Sequence, residues 1–468
     1  MLRTVLFVGL GMSVLGVARA QENSDLQREV TDLRALVLKL QARIDDLERK
    51  VGTAPTAPAA PTAPAAPSGS AAVATTHAPT AAPAPQPNSD SGWPWGTSFN
   101  LLFDGYYGYN FNAPIGRVNR LRAYDVSSNS FSINQAAIVV ENAADPDHGK
   151  YWGARLDLQY GQATETLQGN PSNEPRPDIY RNIFQAYGTV VIPLGHHNIN
   201  VDFGKFASSL GIEGNYTKDQ MNYSRAFWFA YLPFYHMGLR AHYDINSKLG
   251  VNYWVVNGTQ QTEAFNGFKD QFFGLVLQPN KSVTWNVNYY FGQEHPDVIY
   301  YPFGTTPPDV PNLGFQQGVP FQYIPNAPRG RLHIFDSYAT WQATPKLTVA
   351  GEADWVISRF NTNSPPQHTA GGAGYMRYQI SKHFAVAGRF EYLGDQGGLF
   401  SGADQALKEG TFTTEYKLGN DFLMRAEWRR DFSNLPYFYT DTPGVLSKEQ
   451  TTATLGVIWW FGTKQGVW

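Results

Sequence analysis

The stretch SVTWNVNYYFG, residues 282–292, alternates apolar and polar side chains over most of its length. One face carries the apolar residues Val283, Trp285, Val287, Tyr289 and Phe291. The other face carries Thr284, Asn286 and Asn288. Because successive side chains of a β-strand point to opposite faces, this pattern predicts a strand with one apolar and one polar face. A strand of about 10 residues is also long enough to cross a bilayer at a tilt.

Three further stretches repeat the pattern: YWGARLDLQYG (151–161), KLTVAGEADWVI (346–357) and FLMRAEWRR (422–430). In each, one face carries charged residues and the other carries none except Arg430 at the end of the last stretch, and aromatic residues lie near the ends of the apolar face. The chain is only 42% hydrophobic, with a mean hydropathy of −0.35. After the N-terminus no run approaches eighteen apolar residues, so the sequence predicts no transmembrane helix. Apolar-out, polar-in strands with aromatic girdles are typical of outer-membrane β-barrels.

The pattern predicts sixteen strands, an even number as in single-chain bacterial barrels. They lie near 97–112, 130–144, 150–162, 181–193, 198–207, 237–246, 247–258, 268–278, 281–293, 330–343, 345–358, 368–381, 382–394, 408–418, 420–432 and 449–461. Short and long connections alternate between them, and short connections are expected on the periplasmic side. The predicted fold is therefore an all-β, antiparallel transmembrane barrel of about 16 strands over residues 93–468.

The third outer loop, predicted over 208–236, contains most of the aromatic stretch NYSRAFWFAYLPFYHMG (222–238). Aromatic surface on an exposed loop would be costly in water, and a sixteen-stranded barrel has room for a loop to enter its bore. We therefore expect this loop to fold inward and narrow the channel. Two alternatives remain open: a lid over the mouth of the barrel, or a contact surface for a neighbouring subunit.

The predicted register points charges of both signs into the bore. The arginines are Arg155, Arg240, Arg377, Arg389, Arg425 and Arg429, and the acids are Asp157, Glu352, Asp354, Glu391, Glu415 and Glu427. The inward loop adds Glu213, Asp219 and Arg225 as candidate constriction residues. Facing rows of opposite charge would set a transverse field that favours small polar solutes. The alternative is that these wall charges pair with one another and only neutralise the wall.

The N-terminus begins MLRTVLFVGLGMSVLGVARA, with a short apolar run that ends in Ala18-Arg19-Ala20. This pattern predicts a signal peptide over 1–20, with a buried N-terminal helix as the alternative. The chain contains no cysteine, so it forms no disulfide in an oxidising compartment. Residues 53–92 form a Pro/Ala-rich segment with almost no charge, which predicts a disordered linker.

Residues 21–52 show an unbroken heptad pattern that predicts a coiled coil. Its apolar positions are Leu26, Val30, Leu33, Val37, Leu40, Ile44, Leu47 and Val51. The β-branched and leucine positions favour a dimer, whereas the run Arg43-Ile44-Asp45-Asp46-Leu47-Glu48 resembles a short motif of trimeric coiled coils. We expect a homotrimer. A single helix packed on the main domain is the remaining alternative.

The block from 204 to 258 resembles the OmpL-like β-barrel porin family. The matching pieces are Gly204-Lys205-Phe206, Leu210-Gly211, Glu213, Asn222-Tyr223-Ser224-Arg225, Pro233, His236-x-Gly238-x-Arg240, Tyr243 and Val256-Asn257-Gly258. The likeness extends more generally over residues 95–462, and the N-terminal part resembles the periplasmic extensions of some trimeric porins. The resemblance implies an outer-membrane channel. The alternating run that ends at Phe461 is similar to the terminal signal that outer-membrane assembly machinery binds; the alternative is that the strand runs on and Trp468 is the recognised residue.

The sequence lacks the motifs of common hydrolases, zinc proteases and nucleotide-binding enzymes. We therefore expect no enzymatic activity, no cofactor and no metal site, and an acidic chain without a basic stripe predicts no nucleic-acid binding. The leading hypothesis is an outer-membrane porin for passive diffusion of small hydrophilic solutes or ions, with lipid and its own copies as partners. The alternative is an envelope tether whose barrel anchors a coiled coil bound to peptidoglycan or another envelope protein.

Overall fold

A computed structural model describes residues 96–167, 174, 176–195, 197–302, 321–325, 329–464 and 467–468. The predicted signal peptide (1–20), coiled coil (21–52) and linker (53–92) lie outside the described residues. In the described part of the chain, no helix is both long and apolar enough to span a membrane.

The described residues form one closed antiparallel barrel of sixteen strands, which confirms the predicted fold class. Each strand pairs with the next along the chain, and the first pairs with the last, with Leu101 opposite Phe461. The strands are β1 (Ser98–Asn110), β2 (Ser130–Asn142), β3 (Trp152–Tyr160), β4 (Ile183–Leu194), β5 (His197–Ala207), β6 (Tyr235–Asn246), β7 (Leu249–Val256), β8 (Asp270–Asn280), β9 (Val283–Gly292), β10 (Leu332–Thr344), β11 (Leu347–Ser358), β12 (Gln367–Gln379), β13 (Phe384–Gln396), β14 (Gln405–Leu418), β15 (Phe422–Ser433) and β16 (Glu449–Gly462).

The outer face of the barrel carries the apolar half of the alternating pattern. Trp285, Phe335 and Trp355 lie on neighbouring strands and expose 44%, 41% and 47% of their surface. The rings of Phe335 and Trp355 stack with their centroids 5.7 Å apart. Asn286, one residue from Trp285, is buried inside. Such a surface is stable in hydrocarbon, because closure leaves no unpaired strand edge and lipid solvates the apolar side chains.

The two ends of the barrel differ in the length of their connections. Short turns at one end join β2–β3, β4–β5, β6–β7, β8–β9, β10–β11, β12–β13 and β14–β15. The first contains a 3-10 helix, Pro146–His148, closed by Gly149 at φ 78°. Short turns of this kind face the periplasm in bacterial barrels, which places the start of β1 on the periplasmic side.

The opposite end carries the long connections, among them 111–129, 161–182, 208–234 and 293–331. They contain the helices Gln162–Leu167 and Pro177–Tyr180, and the segment 208–234 contains the 3-10 helix Thr217–Asp219 and the helix Phe227–Tyr231. Two small ribbons pair Val298–Pro302 with Phe321–Pro325 and Phe438–Tyr439 with Leu446–Ser447. These connections form the outer mouth of the barrel.

The inner face is not uniformly polar, which differs from the simple apolar-out, polar-in expectation. Near the outer mouth it carries an inner apolar patch, formed by Phe206, Trp254, Phe272, Tyr290, Ile334, Val356, Leu393 and Leu407. Every side chain of this patch is almost fully buried. Apolar side chains inside a bore need a protein surface to cover them, because water would otherwise fill the space. The connection 208–234 supplies much of this cover, and Tyr437 and Phe438 of the last outer connection add to it.

Candidate constriction inside the barrel

The connection between β5 and β6, residues 208–234, lies inside the barrel, and we call it the inward segment. Residues 215–228 are buried without exception. The inward segment ends two residues before the predicted end of the loop at 236, because β6 begins at Tyr235. A buried connection must find partners for its backbone polar groups, since unpaired amides and carbonyls are costly away from water. The wall of the barrel supplies these partners.

Aromatic side chains anchor the inward segment to the wall. Phe227 and Trp228 are completely buried and pack with Leu232 against the inner apolar patch. The indole nitrogen of Trp228 also donates a hydrogen bond to the carbonyl of Tyr392, at 3.1 Å. The aromatic rings of the outer connection therefore cover apolar surface inside the bore.

Wall carboxylates accept hydrogen bonds from backbone amides of the inward segment. Glu427 accepts the amides of Tyr223 and Ser224, at 2.6 and 2.9 Å. Glu391 accepts those of Phe227 and Trp228, at 2.8 and 2.7 Å. In each case one carboxylate receives two consecutive N–H groups. A negative charge on the wall thus satisfies donors that would otherwise be buried without partners.

Wall arginines satisfy the carbonyls of the same segment. Arg425 donates to the carbonyls of Thr217 and Asn222, at 2.7 and 3.1 Å, and also to that of Gln220. Arg389 donates to the carbonyl of Ser224 at 2.9 Å. Because the guanidinium presents several donors in a fixed fork, one arginine can hold more than one carbonyl. Together the acids and arginines fix the path of a chain with little regular structure.

The inward segment also contacts β1, β2 and β3. The Tyr216 hydroxyl donates to Asp157 on β3 at 2.6 Å, and the Tyr223 hydroxyl donates to Asp104 on β1 at 2.8 Å. The backbone amide of Thr217 donates to Gln135 on β2 at 3.1 Å. The amide of Gly211 donates to Asp336 on β10, which lies eight strands from β2 in the ring of sixteen, so the segment crosses the bore from wall to wall.

Most charged residues of the wall form short ion pairs with neighbours. Their nitrogen–oxygen distances are 2.8 Å for Arg155–Asp157, 2.6 Å for Arg240–Asp202, 2.7 Å for Arg377–Glu415, 2.6 Å for Arg389–Glu409, 2.8 Å for Arg425–Glu415 and 2.7 Å for Arg429–Asp431. Arg389 also pairs with Glu213 of the inward segment, at 2.7 Å. The sequence left open the alternative that wall charges pair with one another and neutralise the wall. The ion pairs agree with that alternative, because paired charges leave less net charge to set a transverse field.

The predicted wall arginines differ in how much of each side chain is exposed to solvent. Arg240 and Arg377 keep 14% and 17% of their side chains exposed. Arg389, Arg425 and Arg429 keep at most 1%, because the inward segment covers them. Arg155 is intermediate, at 6%. Among the predicted wall arginines, Arg240 and Arg377 therefore have the most contact with solvent.

Arg225 occupies a different environment from the one expected. It is 1% exposed, and its guanidinium donates to the carbonyls of Gly214, Asn215 and Tyr223, at 3.1, 3.1 and 2.9 Å. It also lies over the ring of Tyr124, 4.3 Å from the centroid. The side chain holds the inward segment together from within and does not face a water-filled passage.

Asp219 lies at the periplasmic side of the inward segment. It pairs with Lys218 at 2.7 Å, and it accepts the backbone amide of Trp468 at 3.3 Å. Burial lowers the pKa of the Lys218 ammonium, and the neighbouring Asp219 carboxylate opposes that shift. The last strand ends at Gly462, and the ring of Trp468 packs beside Tyr216, with centroids 5.7 Å apart.

Glu352 and Asp354 lie beside a third acid, Asp336, which the sequence analysis did not single out. The sequence pattern also did not single out three further wall residues. Asp104 and Gln135 accept hydrogen bonds from the inward segment, and Glu409 pairs with Arg389. Asp336 could have been found, because it occupies an inward position in the alternating run HIFDSYATW (333–341). Its proximity to the other two acids depends on strand register, which the sequence pattern alone does not set.

A closed sixteen-stranded barrel with an apolar outer belt and a bore crossed by one wall-anchored connection defines the porin class of outer-membrane proteins. A family model described as "Putative beta-barrel porin-2, OmpL-like" matches residues 96–461. The match covers most of the chain, and the protein belongs to this family. It is accordingly a bacterial outer-membrane porin, which confirms the predicted family and functional class.

No curated protein matches the sequence significantly. Among solved structures, the barrel is similar to the anion-selective porin from Comamonas acidovorans, at 8% identity and TM-score 0.49, covering 78% of this chain and 99% of that one. It is also similar to OmpT of Vibrio cholerae, at 9% identity and TM-score 0.45, covering 78% and 97%. A third similar structure is OprB of Pseudomonas putida, at 13% identity and TM-score 0.46, covering 78% of this chain and 94% of that one.

Proposed function

We propose that small hydrophilic solutes and ions diffuse passively through this barrel, past a constriction formed by the inward segment. The observation that carries the proposal is the path of residues 208–234, which cross the bore and bind both walls through Tyr216 and Phe227. A barrel of sixteen strands leaves an aqueous channel, so a connection that fills part of it sets the width of the passage. The protein then carries out transport and no chemical reaction.

The passage runs beside the wall that the inward segment leaves exposed, where Arg240 and Arg377 retain contact with solvent. Arg240 pairs with Asp202 at 2.6 Å, so the passage carries both signs of charge close together. Paired charges bind water and polar solutes but favour neither ion strongly. We infer weak ion selectivity and a preference for small polar solutes over apolar ones.

We further propose that three copies assemble through the heptad residues from Leu26 to Val51. The periplasm is the expected location of this coiled coil, because β1 starts at the end of the barrel that carries the short turns. The coiled coil would then hold the trimer together and contact the peptidoglycan. Assembly machinery would bind the end of β16 near Phe461. The alternative of a pure tether is not favoured, because the family is one of porins.

Planar-bilayer recordings on the purified full-length protein test the proposal. We expect discrete conductance steps. Since the chain has no cysteine, a single Arg377→Cys substitution introduces a unique thiol. A charged, membrane-impermeant thiol reagent should then reduce the current through this variant.

A matched control is Phe390→Cys, because Phe390 is 75% exposed on the outer face of the barrel. The reagent should leave the current through this variant unchanged. A protein that folds and inserts but never conducts would refute the proposed function. A current that is insensitive at Arg377 would move the passage elsewhere in the barrel.

A further inference from the structure

Three carboxylates meet on the inner wall below the start of the inward segment. Asp336 on β10 lies directly opposite Asp354 on β11, and Glu352 lies two residues further along β11 on the same face. One oxygen from each residue lies within 4.8 Å of the oxygens of the other two. The three residues are 2%, 7% and 5% exposed, so the group is closed off from bulk solvent.

No basic side chain in the described part of the chain forms an ion pair with these three acids. Elsewhere on the wall the acids have such partners: Glu415 lies between Arg377 and Arg425, at 2.7 and 2.8 Å. Like charges directly opposite across a strand pair destabilise a sheet, and an uncompensated buried charge is costlier still. The cluster therefore needs either protons or a cation.

Four of the six oxygens are already oriented by hydrogen bonds. Asp336 accepts the amide of Gly211 at 3.1 Å and the side chain of Asn288 at 2.6 Å. Glu352 accepts the amide of Ile212 at 3.1 Å and the hydroxyl of Tyr375 at 3.3 Å. These contacts fix the two carboxylates in place and leave further lone pairs on each oxygen.

Asp354 is the exception. Neither of its oxygens accepts a hydrogen bond from any described residue, although the side chain is buried and points toward Asp336 and Glu352. Buried polar atoms are nearly always paired, and an orphaned carboxylate calls for a specific explanation. A bound cation supplies one, because it attracts all three carboxylates at once and compensates their charge.

We propose that Asp336, Glu352 and Asp354 bind a divalent cation, with Ca²⁺ as the best match. Only oxygen atoms are offered, which suits a hard cation. Ca²⁺–oxygen distances of about 2.3–2.6 Å allow two ligands of one ion to lie up to about 5 Å apart, whereas Mg²⁺ at about 2.0–2.1 Å allows only about 4 Å. The three oxygens lie within 4.8 Å of one another, a separation that one Ca²⁺ can span.

The position of the site assigns it a structural task. Asp336 and Glu352 bind the amides of Gly211 and Ile212, so a cation on these acids joins the β10–β11 hairpin to the first turn of the inward segment. The sequence predicted no metal site, since it lacks the known metal-binding motifs. The three acids belong to two strands, and only the pairing register brings them together. Binding of Ca²⁺ by the purified protein does not depend on whether the channel conducts.

Calorimetric titration of the EDTA-treated full-length protein with CaCl₂ tests the site. We expect one Ca²⁺ per chain and weaker binding of MgCl₂. Asp354→Asn and Glu352→Gln should each weaken Ca²⁺ binding at least tenfold. Asp147→Asn, in an exposed periplasmic turn, is the matched control and should bind as the wild type does. Folded wild-type protein that binds no Ca²⁺ at millimolar concentration would overturn the proposal.

Thermal unfolding with and without Ca²⁺ separates a cation site from a purely structural acid cluster. In EDTA, Asp354→Asn should unfold at or above the wild-type temperature, because the variant lacks one uncompensated buried charge. In Ca²⁺, the wild type and Asp147→Asn should gain stability while Asp354→Asn does not. The same Ca²⁺ response in Asp354→Asn and wild type would show that the cluster holds protons instead. Heat-modified electrophoretic mobility confirms that each variant is folded before the comparison.

Discussion

Glu391 on the barrel wall caps the helix that begins at Phe227, because its two carboxylate oxygens accept the consecutive amides of Phe227 and Trp228, at 2.8 and 2.7 Å. The residue at the N-cap position, Ala226, has no side chain that could do this. Helices usually obtain this cap from a residue adjacent in sequence. Here the cap comes from a strand more than 160 residues away.

Replacing Glu391 with Gln should loosen the inward segment. The glutamine side chain has one accepting oxygen, and its NH₂ group would face the second backbone N–H, donor against donor. We therefore expect a loss of about 1.5–3 kcal/mol of stability. Thermal unfolding of the detergent-solubilised protein and the open-channel noise in single-channel records would measure the effect. Asp404→Asn, in an exposed outer connection, serves as the control and should match the wild type.

Arg225→Lys should destabilise the inward segment without much change in ion selectivity. The guanidinium of Arg225 holds three carbonyls and is 1% exposed, and an ammonium cannot reproduce the fork of donors. We expect a lower unfolding temperature, a noisier and larger conductance, and a reversal potential close to the wild-type value. Arg240→Lys is the matched comparison, because it keeps the charge at a position with solvent contact. If only the reversal potential moved in Arg225→Lys, Arg225 would belong to the passage after all.

Arg240 and Asp202 should act as opposing determinants of ion selectivity. Their side chains pair at 2.6 Å and keep 14% and 13% exposure, so removing either one leaves an unpaired charge in contact with water. Arg240→Gln should shift the reversal potential toward cations, and Asp202→Asn should shift it toward anions. The double variant should return close to the wild-type potential. A double variant that keeps the shift of either single variant would place that residue away from the ion path.

Deleting residues 215–229 should raise the single-channel conductance, because the deletion removes the part of the inward segment that crosses the bore. The barrel itself should still form, since these residues contribute no strand of the closed sheet. Unfolding temperature should fall, because Glu427, Arg425 and other wall charges lose their backbone partners. Removing 361–363 from an exposed outer connection provides the control deletion. An unchanged conductance in the 215–229 deletion would show that the segment lies outside the permeation path.

Polar substitutions at Ile44 and Leu47 should weaken the oligomer. A parallel bundle buries one layer of a and one layer of d residues at these positions, and polar side chains there cost stability. Cross-linking and dissociation temperature in detergent would compare this variant with the wild type and with a deletion of residues 21–52. Identical dissociation of all three proteins would assign the coiled coil a role other than oligomerisation.

The sequence by itself determined the barrel. Side chains of a strand alternate with a period of two, so runs such as 282–292 and 346–357 define which face meets lipid without any knowledge of neighbouring strands. Connection lengths likewise follow from the positions of the runs and predict which end faces the periplasm. The same local pattern gave the inward orientation of Arg389 and Glu391, and the density of rings in 222–238 indicated that the outer connection enters the bore.

Only the tertiary structure decided what the inward residues do. Arg389 pairs with Glu213 across 176 residues, and Glu427 meets Ser224 across 203 residues. Such partners are set by barrel closure, strand register and the path of the inward segment, none of which is encoded in local periodicity. For this reason Arg225 became an internal clamp of the segment, and Asp336 joined Glu352 and Asp354 in a cluster without a basic partner among the described residues.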